Sequence, residues 1–157
     1  MTRATRAVLL QLIILTVFWS NVFGETLVLR DVRPCDNGDL SQVREIRVTP
    51  CNKEPCAIPK GEVVRMEVDF IANRNSVHPQ VSIKAKLLGF LLPFPSLNPN
   101  GCVGKNLQCP LEKGKLYTFK YDLKVEKYFP RVTVDARWKL KGETGGFFCF
   151  LAPVSVV

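Results

Sequence analysis

The chain has 157 residues, with 22 Lys+Arg against 14 Asp+Glu, a formal charge of +8, six cysteines and one histidine. Charged residues make up 23% and apolar ones 46%, which argues against wholesale disorder and provides enough apolar side chains for one core. The length suits a single domain. With one histidine, any Ser-His-Asp, Cys-His or multi-histidine zinc arrangement would have to use His78.

At the amino terminus, Arg3 and Arg6 precede a mostly apolar run at 7–19, broken only by Gln11 and Thr16. Val22 and Gly24 then stand where a signal peptidase reads small or modest side chains. The run is too short to cross roughly 30 Å of hydrocarbon comfortably. Residues 1–24 are therefore expected to be a cleaved signal peptide and 25–157 the mature, secreted domain. Cleavage removes Arg3 and Arg6, which lowers the charge of +8 by two.

All six cysteines lie beyond that segment, and an even number in a secreted chain reads as disulfides. Cys51 and Cys56, and likewise Cys102 and Cys109, are close enough to close local loops, which leaves Cys35 for Cys149. The four central cysteines are not in C-x2-C pairs, so a zinc site is not expected.

The mature chain alternates with period two. Short candidate strands lie at 26–32 and 45–49. In 64–70, Val64, Met66, Val68 and Phe70 oppose Arg65, Glu67 and Asp69. In 81–87, Val81, Ile83, Ala85 and Leu87 oppose Ser82, Lys84 and Lys86. The segment 87–97 begins as a strand, but Pro93 and Pro95 cannot donate to a ladder, so 91–97 is expected at an edge or in a loop. A loop this apolar should be covered or border an apolar site. In 117–126, Tyr117, Phe119, Tyr121, Leu123 and Val125 face one way; in 131–141, Val132, Val134, Ala136, Trp138 and Leu140 do. A last strand is expected over 147–156, with Phe148 or Phe147 and then Phe150 facing inward. Turn residues separate these runs, as at Pro59-Lys60-Gly61, Asn98-Pro99-Asn100-Gly101 and 142–146, and no long amphipathic helical pattern occurs. The expected fold is all-β: one two-sheet antiparallel β-sandwich.

Outward Lys and Arg alternate with Asp and Glu, and no arginine-rich tract or RNA-binding signature occurs, so no nucleic-acid partner is expected. Most carboxylates fall on outward strand positions, which does not suit a converging catalytic pair. His78, beside Pro79 in the polar loop 72–80, reads as a surface residue. No enzyme, catalytic residue, cofactor or metal is expected.

Several loops carry a family likeness. The run Val48-Thr-Pro-Cys51-Asn-Lys-Glu-Pro-Cys56-Ala-Ile-Pro-Lys60-Gly61 resembles the signature of the lipid-recognition (ML) domain family, in its Niemann-Pick type C2-like branch. Gly89, Pro93-Phe94-Pro95, Gly101-Cys102, Cys109-Pro110-Leu111, Tyr117, Pro130, Trp138-Lys-Leu140 and Cys149-Phe150 follow in the family's order. The resemblance implies an immunoglobulin-like sandwich with an apolar pocket between its sheets, and the bridges Cys35–Cys149, Cys51–Cys56 and Cys102–Cys109. It places Phe94, Val125 and Phe129 at the pocket mouth, and Trp138 in the core. Phe129 stands where the family has Tyr, and Phe150 where the nearest relatives have Trp. The inward Phe70, Tyr117, Phe119, Tyr121, Phe150 and Met66 complete the expected lining.

The implied function is a secreted, monomeric carrier of a fatty acid, sterol or similar small lipid, making transient contact with a membrane or receptor. Two alternatives are an innate-immune recogniser of microbial lipid and a signalling sandwich with a filled core. Lys124 and Lys127 flank the expected mouth and are candidates for an anionic head group. No Asn-x-Ser/Thr sequon occurs, which favours an extracellular destination over a glycan-addressed lysosomal one.

Overall fold

Among the described residues, two sheets built from ten strands face each other. The structure is a computed structural model that describes residues 24–36 and 38–157. The expected signal peptide lies outside the described residues. The first sheet, A, contains β1 (Leu27–Val28), β3 (Val43–Thr49), β5 (Val63–Ile71) and β8 (Leu116–Lys124), in the order β1-β3-β5-β8. The second, B, runs β2 (Arg33–Pro34), β10 (Gly145–Val156), β9 (Val132–Gly142), β6 (Gln80–Leu87) and β7 (Phe90–Pro93). A short strand, β4 (Cys56–Ile58), pairs with β10 in parallel. Every other pairing is antiparallel.

The long strands form where the period-two alternation is clean, because one face of each can then enter the core while the other stays wet. In β5 the inward Val64, Met66, Val68 and Phe70 are all buried. Their neighbours Arg65, Glu67 and Asp69 join a ladder of charges on the outer face of sheet A. Arg47 reaches Glu45 at 2.6 Å, Asp69 at 2.6 Å and Glu67 at 3.2 Å, while Lys120 meets Glu67 at 2.6 Å and Arg65 meets Asp122 at 2.6 Å. Hydrogen bonding to Arg47 holds the Asp69 carboxyl below its ordinary range, and Lys120 does the same for Glu67.

The β9–β10 hairpin departs from simple alternation. Its register shifts between Gly146 and Phe148, a bulge that leaves Phe147 as the extra residue. Both Phe147 and Phe148 are thereby buried, with ring centroids 5.8 and 5.3 Å from that of Phe70. A strand without the bulge could have turned only one of the two inward. At the tip, Gly145 has φ +149, and Arg74 crosses close over it to donate to the Thr144 carbonyl at 2.7 Å. A β-carbon at Gly145 would collide with that guanidinium.

Three disulfides join Cys35 to Cys149, Cys51 to Cys56 and Cys102 to Cys109, the expected pairing.

Glu143, in the turn between β9 and β10, accepts from the His78 amide at 2.6 Å and the Val77 amide at 3.1 Å. The nearby Ser76 hydroxyl, its own amide and those of His78 and Val77 hold its carboxyl down to about 2. A carboxyl lowered by folding stabilises the native state above its unfolded pKa, near 4.5, and loses that contribution as pH falls toward 2. Thermal unfolding of Glu143→Gln should thus show a lower Tm than the parent at pH 6 and a smaller gap at pH 2.5. A gap that does not change with pH would refute this role.

Candidate functional site: a cavity between the sheets

The site begins with three alanines. In sheet B, Ala85 is the register partner of Ala136, and Ala136 is the partner of Ala152. Together they form a row of methyl groups across β6, β9 and β10. The next ranks toward the strand ends are Val134 opposite Val154 and Val132 opposite Val156. From sheet A, Val48 beside Met66 and Val64 beside Leu123 face this row. Packed sheets lie about 10 Å apart, and side chains this short do not fill that gap. A cavity of about 320 Å³ results, and Ile83 and Leu29 add to its aliphatic wall.

The other half of the sandwich is filled. Phe70, Tyr117, Phe119, Phe147, Phe148 and Phe150 pack there, with the Phe119 and Phe148 centroids 5.8 Å apart and those of Phe148 and Phe150 also 5.8 Å apart. Trp138 stands at the boundary. Its ring is 6.4 Å from Phe119 and 6.5 Å from Tyr121, it lines the cavity, and its indole N–H is buried with no protein acceptor.

Two of the three residues expected at the mouth are aromatic, and both Phe94 and Phe129 are half-buried on the cavity wall. Phe94 follows β7 and is anchored by its amide, which donates to the Ile83 carbonyl at 2.9 Å. Its ring meets that of Phe129 edge-on, with centroids 6.1 Å apart and an interplanar angle of 85°. Tyr128 adds a second edge contact to Phe129 at 5.0 Å. Val125 is buried behind them, bonded through its backbone to Glu62 and Gly61. Around the mouth the surface remains apolar. The β6–β7 turn, Leu88-Gly89, has φ +50 and +83, as a two-residue type I′ turn requires. It holds Leu88 out at 90% exposure beside Phe90 at 73%.

Of the residues expected to line a pocket, Phe94, Val125, Phe129, Trp138 and Met66 lie on the cavity wall. Phe70, Tyr117, Phe119, Tyr121 and Phe150 do not. Phe70, Tyr117, Phe119 and Phe150 lie on the half of each strand beyond Trp138, where large rings close the core, while Tyr121 is the register partner of Met66 and carries Lys105 over its ring. Phe150 packs at a tilt against Phe148, so whatever room it leaves falls in the packed half. Lys124 and Lys127 are not among the residues on the cavity wall. Lys124 sits on the outer phase of β8, exposed and 3.9 Å from Glu126, and the Lys127 stem lies against Gly61. Lys84 touches the cavity, but it lies between the inward Ile83 and Ala85 and so directs its ammonium away from it. Among the described residues no cluster of His, Cys, Asp or Glu is placed to hold a metal ion.

Sequence reasoning missed the wall itself. Ala85, Ala136 and Ala152 give no signal singly, because only the register brings them side by side.

A sandwich with one half packed by rings and the other holding an aliphatic cavity is the architecture of a small-molecule-binding β domain. The ML domain family model matches residues 30–156, and the chain belongs to that family. The cholesterol transporter named NPC intracellular cholesterol transporter 2 from Bos taurus is 30% identical over 115 residues, 73% of this chain and 76% of that protein. Mite group 2 allergen Der p 2 of Dermatophagoides pteronyssinus is 33% identical over 124 residues, 78% of this chain and 82% of the allergen. Among solved structures, a Niemann-Pick type C2 protein from Japanese carpenter ant shares the fold, with a TM-score of 0.73 at 20% identity. That match covers 82% of this chain and all of the ant chain.

Proposed function

We propose that the protein is a secreted, monomeric carrier that holds one small lipid, such as a fatty acid, sterol or related apolar molecule, without altering it chemically. The cavity of about 320 Å³, walled by aliphatic side chains and closed by Phe94 and Phe129, carries this reading. Transfer of a lipid tail from water into such a space gains about 0.8 kcal/mol per methylene. Lys84 is the one charged residue among those lining the cavity and its neighbours Ile83 and Ala85 take the inward positions, so an ionised head group would remain at the mouth in contact with water. A ligand oxygen reaching the depth of Trp138 would satisfy an indole N–H otherwise left without a partner. The relatives named as cholesterol transporters support lipid cargo, and the disulfides suit an oxidising, extracellular destination. The apolar rim at Leu88, Phe90 and Tyr128 suits brief contact with a membrane or receptor during exchange.

The test is organic extraction of the protein secreted from its host, mass spectrometry of the extract, and displacement of a fluorescent fatty acid from the purified chain. A bound lipid in about one copy per protein, competing with the probe, is the expected outcome. An empty extract together with no displacement would end the carrier reading.

A further inference from the structure

The two outer faces of the sandwich differ in charge. On sheet A the outward Arg47, Arg65, Lys120 and Lys124 are matched by Glu45, Glu67, Asp69 and Asp122, and most are in contact. On sheet B the outward positions of β6 and β9 carry Lys84, Lys86, Arg137, Lys139 and Lys141. The acid on that face, Asp135, is taken by Arg33 of the edge strand β2. Among the described residues none of these five cations lies within 4.0 Å of a carboxylate. Lys84 and Arg137 are direct register partners, a like-charge pairing that destabilises a sheet. Across β10, Arg137, Lys139 and Lys141 oppose Leu151, Cys149 and Gly146, which offer no counter-charge.

The arrangement is linear. Arg137, Lys139 and Lys141 follow one another at about 7 Å along β9, and Lys84 and Lys86 form a second row about 5 Å away on β6. This face also points away from the cavity mouth. Phe90 and Leu92 pair with Leu87 and Ala85 and share their inward phase, whereas the cations occupy the opposite one. A bilayer receiving the apolar rim could not also lie flat on the basic face. A linear polyanion could occupy that face and leave the mouth free.

We propose that the outer face of sheet B is a docking surface for a linear sulfated polysaccharide, which would hold the carrier at an extracellular surface while its cavity exchanges lipid. The proposal rests on the secreted reading of the chain but not on the identity of its cargo. Sulfate groups spaced along one chain complement two rows of cations, and their release of counterions gives the binding a steep salt dependence.

The test measures the affinity of the mature protein for heparin, a linear sulfated polysaccharide, across a range of sodium chloride concentrations. Arg137→Ser/Lys139→Ser/Lys141→Ser should weaken binding at least about tenfold near physiological salt. It should also lower the slope of log affinity against log salt by about 2, as expected for three contacts to a single-stranded polyanion. Lys84→Ser/Lys86→Ser is an independent second variant expected to act in the same direction. Lys113→Ser/Lys115→Ser/Lys124→Ser removes equal charge elsewhere and should bind like the parent. An equal loss in that control would reduce the effect to net charge and overturn the proposal. So would parent protein that fails to bind heparin, or face variants that keep heparin binding and lose only phosphatidylserine vesicles. Fluorescent fatty-acid uptake should be unchanged in Arg137→Ser/Lys139→Ser/Lys141→Ser, none of whose positions lines the cavity, and in the charge control. Its absence throughout would instead count against the carrier reading, leaving the heparin result to stand alone.

Discussion

Ala136→Phe should abolish lipid uptake while leaving the fold intact. Ala136 is the middle of the methyl row between Ala85 and Ala152, so a ring there projects into the cavity. Displacing the space of three or four methylenes removes about 3 kcal/mol of transfer free energy, a loss of roughly a hundredfold in affinity. In a packed core such an enlargement would cost about 1–3 kcal/mol in strain. Here the added atoms enter a void, and filling it should hold the Tm of the lipid-free protein level or raise it. The graded series Ala136→Val, →Leu, →Phe should weaken fluorescent fatty-acid binding stepwise while Tm does not fall. Parental affinity in the Phe variant would mean that the lipid binds elsewhere.

The same methyl row shows what could and could not be read from the residues alone. Period-two alternation located β5, β6, β8, β9 and β10 to within about two residues, because a half-buried strand must alternate. It also told which side of each strand faces inward. It could not tell which half of that face is packed and which is open, since that depends on the register between strands. The expected lining took in the inward Phe70, Tyr117, Phe119, Tyr121 and Phe150, although ring count cannot show a cavity, because large rings are what fill a core. The cavity lies instead where Ala and Val meet Ala and Val. Phe94, Val125 and Phe129 were placed through the likeness to a known family, and no periodicity in 91–97 or 128–130 would have singled them out. Two smaller misses have local causes. The expected strand 26–32 pairs only at Leu27–Val28 before the chain turns to the other sheet at β2. β4 is three residues between turn-forming segments, too short for a periodic signal, and pairs with a strand about a hundred residues later.

Charge followed a similar course. Lysines alternating with acids along single strands read as an ordinary solvated surface. Only once β6 and β9 lie side by side do Lys84 and Arg137 become neighbours, with Glu45, Glu67, Asp69 and Asp122 on the opposite sheet and Asp135 held by Arg33. The outward placement of Lys124 has a related origin. It follows Leu123 on β8, and that residue takes the inward position.

Replacing both Cys35 and Cys149 with alanine should produce the largest loss of stability of any change considered. The bridge joins residues 114 apart, and the loop-entropy model assigns such a link about 4–5 kcal/mol, against about 2 for the five- and seven-residue spans of the other two. Total stability of a domain is commonly about 5–15 kcal/mol, so the variant should unfold roughly 15 °C lower. The bridge acts mainly on the unfolded chain, and the native arm has further anchors. β1 pairs with β3, the Leu29 amide donates to the Ile46 carbonyl at 2.9 Å, and the Cys35 amide donates to the Cys149 carbonyl at 3.1 Å. Leu29 should therefore keep its place on the cavity wall, and lipid affinity at 15 °C should match the parent. Lipid at about one hundred times its Kd should then restore about 2.7 kcal/mol to both proteins, recovering more than half of the lost Tm in the variant. A tenfold weaker affinity at 15 °C, with little recovery on adding lipid, would show that the bridge shapes the cavity itself by holding Leu29 in place.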